Sequence, residues 1–221
     1  QDPDPATVAA LDHLIERAEH GDAEAVTEIV DAFAGRLAFG TAGLRATLGV
    51  GPNRMNRVVV SQAAAGLARW LVANGHRGER VIVGYDARYN SDVFARDTAE
   101  ILAGHGLVPL LTDRHVPTPL VAFALGELGC AAGVMVTASH NPPQDNGYKV
   151  YVGRSQIVSP TDAEIAAHLD AVADAPVADI PRSEDYSLVG EELVNAYVAR
   201  DASLVPAEAP RELVWAYTPL H

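Results

Sequence analysis

Three short apolar runs, Arg80-Val81-Ile82-Val83-Gly84-Tyr85, Leu107-Val108-Pro109-Leu110-Leu111 and Ala131-Ala132-Gly133-Val134-Met135-Val136, are spaced along the chain with a helix-length segment between each and the next. Runs of this length fit buried strands, and the intervening Ser91 to Gly104 and Thr118 to Leu128 fit helices. Such an alternation places strands in a sheet with helices layered over it. The expectation is an α/β fold, a three-layer α/β/α domain with a mixed sheet, preceded by N-terminal helices. Asn56 to Asn74 supplies one more helix, with Gly75 as its stop.

Ahead of this pattern, Ala6 to His20 carries Val8, Leu11, Leu14 and Ile15 at helical spacing, and Asp22 to Phe33 carries Val26, Ile29, Val30 and Phe33 on one face. Asp22 fits a helix N-cap and Gly35 a stop, so residues 1–36 read as a helical extension. Residues 37–204 form the main domain. Within it Gly40, Gly43, Gly49 and Gly51 read as a flexible stretch with Arg45, Arg54 and Arg57 nearby, suited either to an anion or to plain solvation. Ser159-Pro160-Thr161-Asp162 opens a helix over Ala163 to Ala173, Ala175 to Tyr186 connects, and Ser187 to Leu204 is a further helix. Residues 205–221 read as a linker followed by a strand at Glu212 to Tyr217. That strand has no partner within the remaining sequence.

The chemistry gathers just after the third apolar run, in Thr137-Ala138-Ser139-His140-Asn141-Pro142-Pro143-Gln144-Asp145-Asn146-Gly147-Tyr148-Lys149. A hydroxyl, an imidazole and an ammonium are offered at the end of a buried strand, where open α/β sheets bind ligands. Pro142 and Pro143 stiffen the chain after Ser139 and His140. Asp145-Asn146-Gly147 reads as a tight reversal into a strand over Tyr148 to Val152, so that Ser139 and Lys149 face one pocket. Of 16 Lys and Arg residues, Lys149 is the only lysine. An ammonium can lose its proton within a useful pH range and a guanidinium cannot, so a lysine kept here suits proton transfer; a leftover surface lysine is the plainer reading.

Composition narrows the classes further. A net charge of -13 opposes nucleic-acid binding, which draws on a surplus of Lys and Arg. Cys130, the single cysteine, excludes a disulfide scaffold and sits at the head of an apolar strand as a core residue. No stretch reads as a signal peptide or a bilayer span, so the expectation is a cytoplasmic protein with no membrane partner. His13, His20, His76, His105 and His168 lack metal-ligand spacing, and His115, before Pro117-Thr118-Pro119, reads as a loop histidine. Asp86 and Arg88, at the end of a strand, either touch a substrate or brace a loop by an ion pair. A serine hydrolase using Ser139 with His140 is disfavoured, because adjacent residues rarely aim at each other and no Gly-x-Ser-x-Gly elbow is present.

Thr137 to Pro142, continued by Asp145 to Tyr151, resembles the phosphoserine loop of the α-D-phosphohexomutases, the phosphoglucomutase and phosphomannomutase family. Phe39-Gly40-Thr41-Ala42-Gly43-Leu44-Arg45 resembles that family's N-terminal signature, with Ala46 where the family usually has Gly. Gly84-Tyr85-Asp86-Ala87-Arg88 resembles its Gly-x-Asp-x-Arg element, and the three stand in the family's order. The resemblance implies interconversion of hexose 1-phosphate and hexose 6-phosphate through a phosphoserine and a bisphosphate intermediate. It implies Ser139 as phosphoryl carrier and, through its phosphate, metal ligand; His140 and Lys149 for charge stabilisation and proton movement; and Arg45 and Asn141 against phosphate. It also implies Mg²⁺ completed by aspartates of a later domain, a hexose 1,6-bisphosphate activator and a small-molecule sugar phosphate partner; with residues 205–221 similar to the opening of that later domain and its motifs not in the sequence, the expectation is a truncated second domain and a fragment inactive alone. The signature is most similar to the branch with phosphopentomutase-like and bacterial phosphomannomutase-like members. A mutase-like domain kept for sugar-phosphate binding or regulation without catalysis is the second reading.

Overall fold

The computed structural model describes residues 2–41, 43–153 and 155–218. Ala42 of the N-terminal signature and Pro219, Leu220 and His221 at the end of the chain lie outside them. The first two helices are α1 (Pro5–Glu19) and α2 (Ala23–Ala32). Each starts where an aspartate accepts orphaned amides: Asp4 from Ala6, and Asp22 from Glu24 and Ala25. They pack on one another and on Val50 through Leu14, Ala25 and Ala32, a small core of their own. α2 ends at Ala32, before Gly35, which is therefore not its stop.

The main body is a seven-stranded mixed sheet: β1 (Leu44–Thr47), β2 (Arg80–Tyr85), β3 (Val108–Thr112), β4 (Ala132–Val136), β5 (Asp145–Val152), β6 (Ser155–Gln156) and β7 (Ser187–Val189). The order across it is β1-β5-β4-β2-β3-β7, with β6 on β5. β4, β2, β3 and β7 run parallel, and β5 turns back antiparallel to both β4 and β1. β4 is buried along its whole length, as a strand covered on both faces must be.

Helices α3 (Arg57–Ala73), α4 (Ser91–Gly104) and α6 (Thr161–Ala173) cover one face, packing Leu67, Phe94 and Ile165 against Val83, Val134 and Tyr148. On the other face, α5 (Thr118–Glu127) and α7 (Glu191–Ala202) set Leu120, Val121 and Leu193 over Ile82 and Met135. This is the expected α/β/α layering. α3 and α6 approach closely because Gly66 has no side chain; a Cβ there would lie 2.7 Å from the Leu169 Cα.

Several elements depart from the sequence reading. The glycine-bearing stretch is not simply flexible, since Leu44–Thr47 forms β1 and pairs with Tyr148 to Asp145. Asp145-Asn146-Gly147 is not a reversal: it begins β5, held extended by β1 on one side. The chain turns earlier, where the Asn141 amide donates to the Ala138 carbonyl and the Asp145 amide to the Pro142 carbonyl. Ser187 to Leu204 splits into β7 and α7 at Gly190, because residues 187–189 find an open edge on β3. Residues 212–217, expected as a strand, form neither helix nor strand, stand exposed and pair with no strand among the described residues.

Candidate active site

The carboxyl ends of β2, β3 and β4 point the same way. The connection after β2 leads to α4 on one face and that after β3 to α5 on the other, so a crevice opens between them. A cleft of about 520 Å³ lies there. Its wall takes Asp86 from beyond β2, His115 and Thr118 from beyond β3, and Met135, Thr137, Ser139 and His140 from β4 and its loop. Exposed Tyr217 reaches its rim.

Ser139 sits in the left-handed region, φ 59°. Such a backbone costs an L-residue about 1–3 kcal/mol and persists only where its surroundings fix it. Two layers of contact do so. Locally, the Ser139 amide donates to Thr137 Oγ1 at 2.9 Å, and the Asn141 amide bonds the Ala138 carbonyl at 3.0 Å. Beneath the loop, the side chain of Arg88 is fully buried. Its Nη1 donates to the carbonyls of Pro142 (2.8 Å) and Asp145 (2.9 Å), and its Nη2 to those of Ser139 (3.0 Å) and Asn141 (2.8 Å).

Arg88 is itself positioned by Asp86, whose Oδ2 lies 3.3 Å from Nε without an aligned hydrogen bond, while Oδ1 accepts from the Arg88 amide (3.1 Å) and the Ser91 hydroxyl (2.8 Å). Asn146, wholly buried, extends the network by donating to Ser91 Oγ and the Tyr89 carbonyl, both at 3.0 Å. Of the two readings of Asp86 and Arg88, the pair braces the Ser139 loop; Asp86 also faces the cleft.

The remaining candidates divide. His140 is exposed, with Nδ1 3.4 Å from Ser139 Oγ, at the outer limit of a hydrogen bond. Arg45 and Asn141 are joined, Nη1 to Oδ1 at 3.1 Å, and Asn141 Nδ2 donates onward to Asp145 Oδ2 at 2.8 Å. The Thr47 hydroxyl donates to the other Asp145 oxygen at 2.8 Å, so β1 and the serine loop form one polar chain. Lys149 stands opposite Met135 in the β4–β5 register and so shares the cleft-side face, half-buried, but it is not among the lining residues. Burial, then the neighbouring charge of Arg45, lowers its pKa below the ordinary lysine value, with Asp86 opposing the drop. An ammonium held this way gives up its proton more readily than one in water.

Other residues sort themselves by their partners. Arg54 pairs with Asp31 and Arg57 with Asp97, away from the cleft, so neither attends Ser139. Burial pushes the Cys130 thiol up to about 11, as befits a core residue rather than a nucleophile. His115, read as a loop histidine, lines the cleft with its ring edge-on to Tyr85, centroids 5.4 Å apart. The signal for it was its place after β3, at the same end of the sheet as Ser139. Among the described residues no group of three His, Cys, Asp or Glu side chains converges on a metal site. No described helix is long and apolar enough to cross a membrane.

Residues 36–175 match the family model described as phosphoglucomutase/phosphomannomutase, alpha/beta/alpha domain I. A probable phosphomannomutase of Haemophilus influenzae is 52% identical over 172 residues, covering 76% of this chain and 35% of that protein. A probable phosphoribomutase of Schizosaccharomyces pombe is 46% identical over 138 residues, 61% of this chain and 24% of that protein. The crystal structure of a putative phosphomannomutase from Thermus thermophilus superposes with a TM-score of 0.68 at 31% identity, covering 78% of this chain and 37% of that one. The chain thus spans roughly a third or less of the length of these relatives. With the family's domain model matched from before β1 to the end of α6, the chain belongs to the phosphoglucomutase/phosphomannomutase family.

Proposed function

We propose that this chain carries the phosphoserine of an enzyme that moves a phosphoryl group between the 1- and 6-positions of a hexose phosphate. The observation that supports this best is Ser139 itself, held left-handed at the edge of a cleft by hydrogen bonds to its own backbone and its neighbours'. A serine fixed in this way presents one oxygen to a ligand with little freedom left to lose.

In the transfer, the bond between phosphorus and Ser139 Oγ breaks as a bond from phosphorus to a sugar hydroxyl oxygen forms. The hydroxyl proton leaves the sugar and Ser139 Oγ leaves as an alkoxide, or as a hydroxyl if a proton reaches it. His140, 3.4 Å from that oxygen, and Lys149, with its lowered pKa, are the groups proposed to move these protons. The bisphosphate so formed turns over and returns its other phosphoryl group to Ser139. Arg45, bonded to Asn141 in the serine loop, adds positive charge beside the transferred group. A divalent ion would supply charge neutralisation; from this chain it would take a single ligand, a phosphoryl oxygen on Ser139.

The test is a mass measurement. The protein is incubated with hexose 1,6-bisphosphate and Mg²⁺ and the peptide bearing Ser139 is fragmented. One added phosphoryl group on Ser139, absent in Ser139→Ala, is the expected result. An unmodified Ser139 under these conditions would leave sugar-phosphate binding without catalysis as the reading.

A further inference from the structure

Phosphoryl transfer depends on where the serine oxygen sits, yet Ser139 lies in a loop with two prolines and an energetically unfavourable backbone. The contacts that hold this loop from below come from a single side chain. Arg88 gives four hydrogen bonds to the carbonyls of Ser139, Asn141, Pro142 and Asp145, spanning the turn from the serine to the first residue of β5. We infer that Arg88 is a positioning residue for the reaction, a buried template whose planar fork fixes the Ser139 backbone so that Oγ stands in the cleft. The inference rests on the phosphoserine reading given above.

Arginine suits this task for reasons that lysine cannot share. Two terminal nitrogens set at a fixed angle can each bond two carbonyls in different directions, whereas an ammonium offers three donors from one point. A buried cation also needs its charge met. Here that is done by four carbonyl dipoles and by Asp86, which the Ser91 hydroxyl and the Arg88 amide hold in place. With the Ser139 carbonyl committed to Arg88 inside the protein and its amide to Thr137, only the side chain remains for the substrate. Arg88 does not line the cleft, so it acts through the loop.

The experiment compares the full-length protein with Arg88→Lys and Asp86→Asn by steady-state kinetics and by hydrogen exchange of residues 138–146. For Arg88→Lys the expected outcome is a fall in kcat of about 100-fold or more with KM within about twofold. Exchange should quicken in the loop while β2 and β4 stay protected. Asp86→Asn, which keeps shape but removes the charge beside Nε, should show the same pattern more weakly, and it decides the matter if Arg88→Lys does not fold. The inference is overturned by an unchanged kcat, by a kcat loss without faster loop exchange, or by a loss of protection spread over the whole sheet. If the parent protein shows no phosphoryl group on Ser139, the mutase reading falls, while the exchange comparison still decides whether Arg88 holds the loop.

Discussion

Lys149 carries two opposed demands. Its half-buried place beside Arg45 destabilises the charged form, so in the folded protein its pKa lies below that of the unfolded chain. Between the two values the unfolded chain binds more protons, and stability therefore rises as pH increases through that window, up to about 10.5. Lys149→Met should lose this rise, so that the difference between the two melting-temperature curves shows it. At pH 7 the variant should melt higher than the unsubstituted protein. Its phosphoryl transfer should nevertheless fall by about 100-fold or more if the ammonium moves a proton. Melting curves against pH, set beside turnover, check both halves. This residue was legible from sequence as a lone lysine in a loop of reactive groups. Arg88 was legible as a loop brace through its ion pair with Asp86, but not as the brace of the serine loop, because the carbonyls it binds leave no mark in the identity of residues.

At the scale of elements, β1 exists because Gly43 lets the chain pass almost against β5. Gly43 has a φ of 74°, and a Cβ there would lie 1.8 Å from the Tyr148 carbonyl oxygen. Gly43→Ala should cost about 3 kcal/mol or more, read as a lower urea midpoint, and should release Arg45 from Asn141 as β1 moves away. The boundaries of β2 and α4 coincide with the apolar run Arg80–Tyr85 and the helical stretch Ser91–Gly104, since both are fixed by local pattern. β1 and β7 escaped that reading for a physical reason. A strand of three or four residues has too little alternation to show a period, and its pairing is supplied by a partner far along the chain.

For the molecule as a whole, the helical layer of α3 and α4 is not held together by apolar contact alone. Asp97 on α4, nearly inaccessible, accepts from Arg57 on α3 at 2.7 Å and from Arg182 at 2.6 Å, so one carboxylate joins two helices and the connection into β7. Arg182 also donates to Ser61 at 2.8 Å. Asp97→Ala would leave two partly exposed guanidinium groups without their shared carboxylate. It should destabilise the protein by about 2–3 kcal/mol, seen as a lower urea midpoint, while leaving Ser139 phosphorylation of the folded protein in place.

The strand that turns back carries a rule about length. Tyr148 faces the α3–α4 core and Lys149 the cleft side, because neighbours on β5 alternate in direction. Pro142, Pro143 and Gln144, between the serine and β5, are exposed, so an added residue there bulges into solvent, whereas β5 is paired on both sides and must take up an added residue in its register. One residue inserted between Asp145 and Tyr148 would exchange parity, sending the ammonium into hydrocarbon and the phenol toward the serine; two would restore it. Between its first residue and its lysine, β5 can grow only by even numbers.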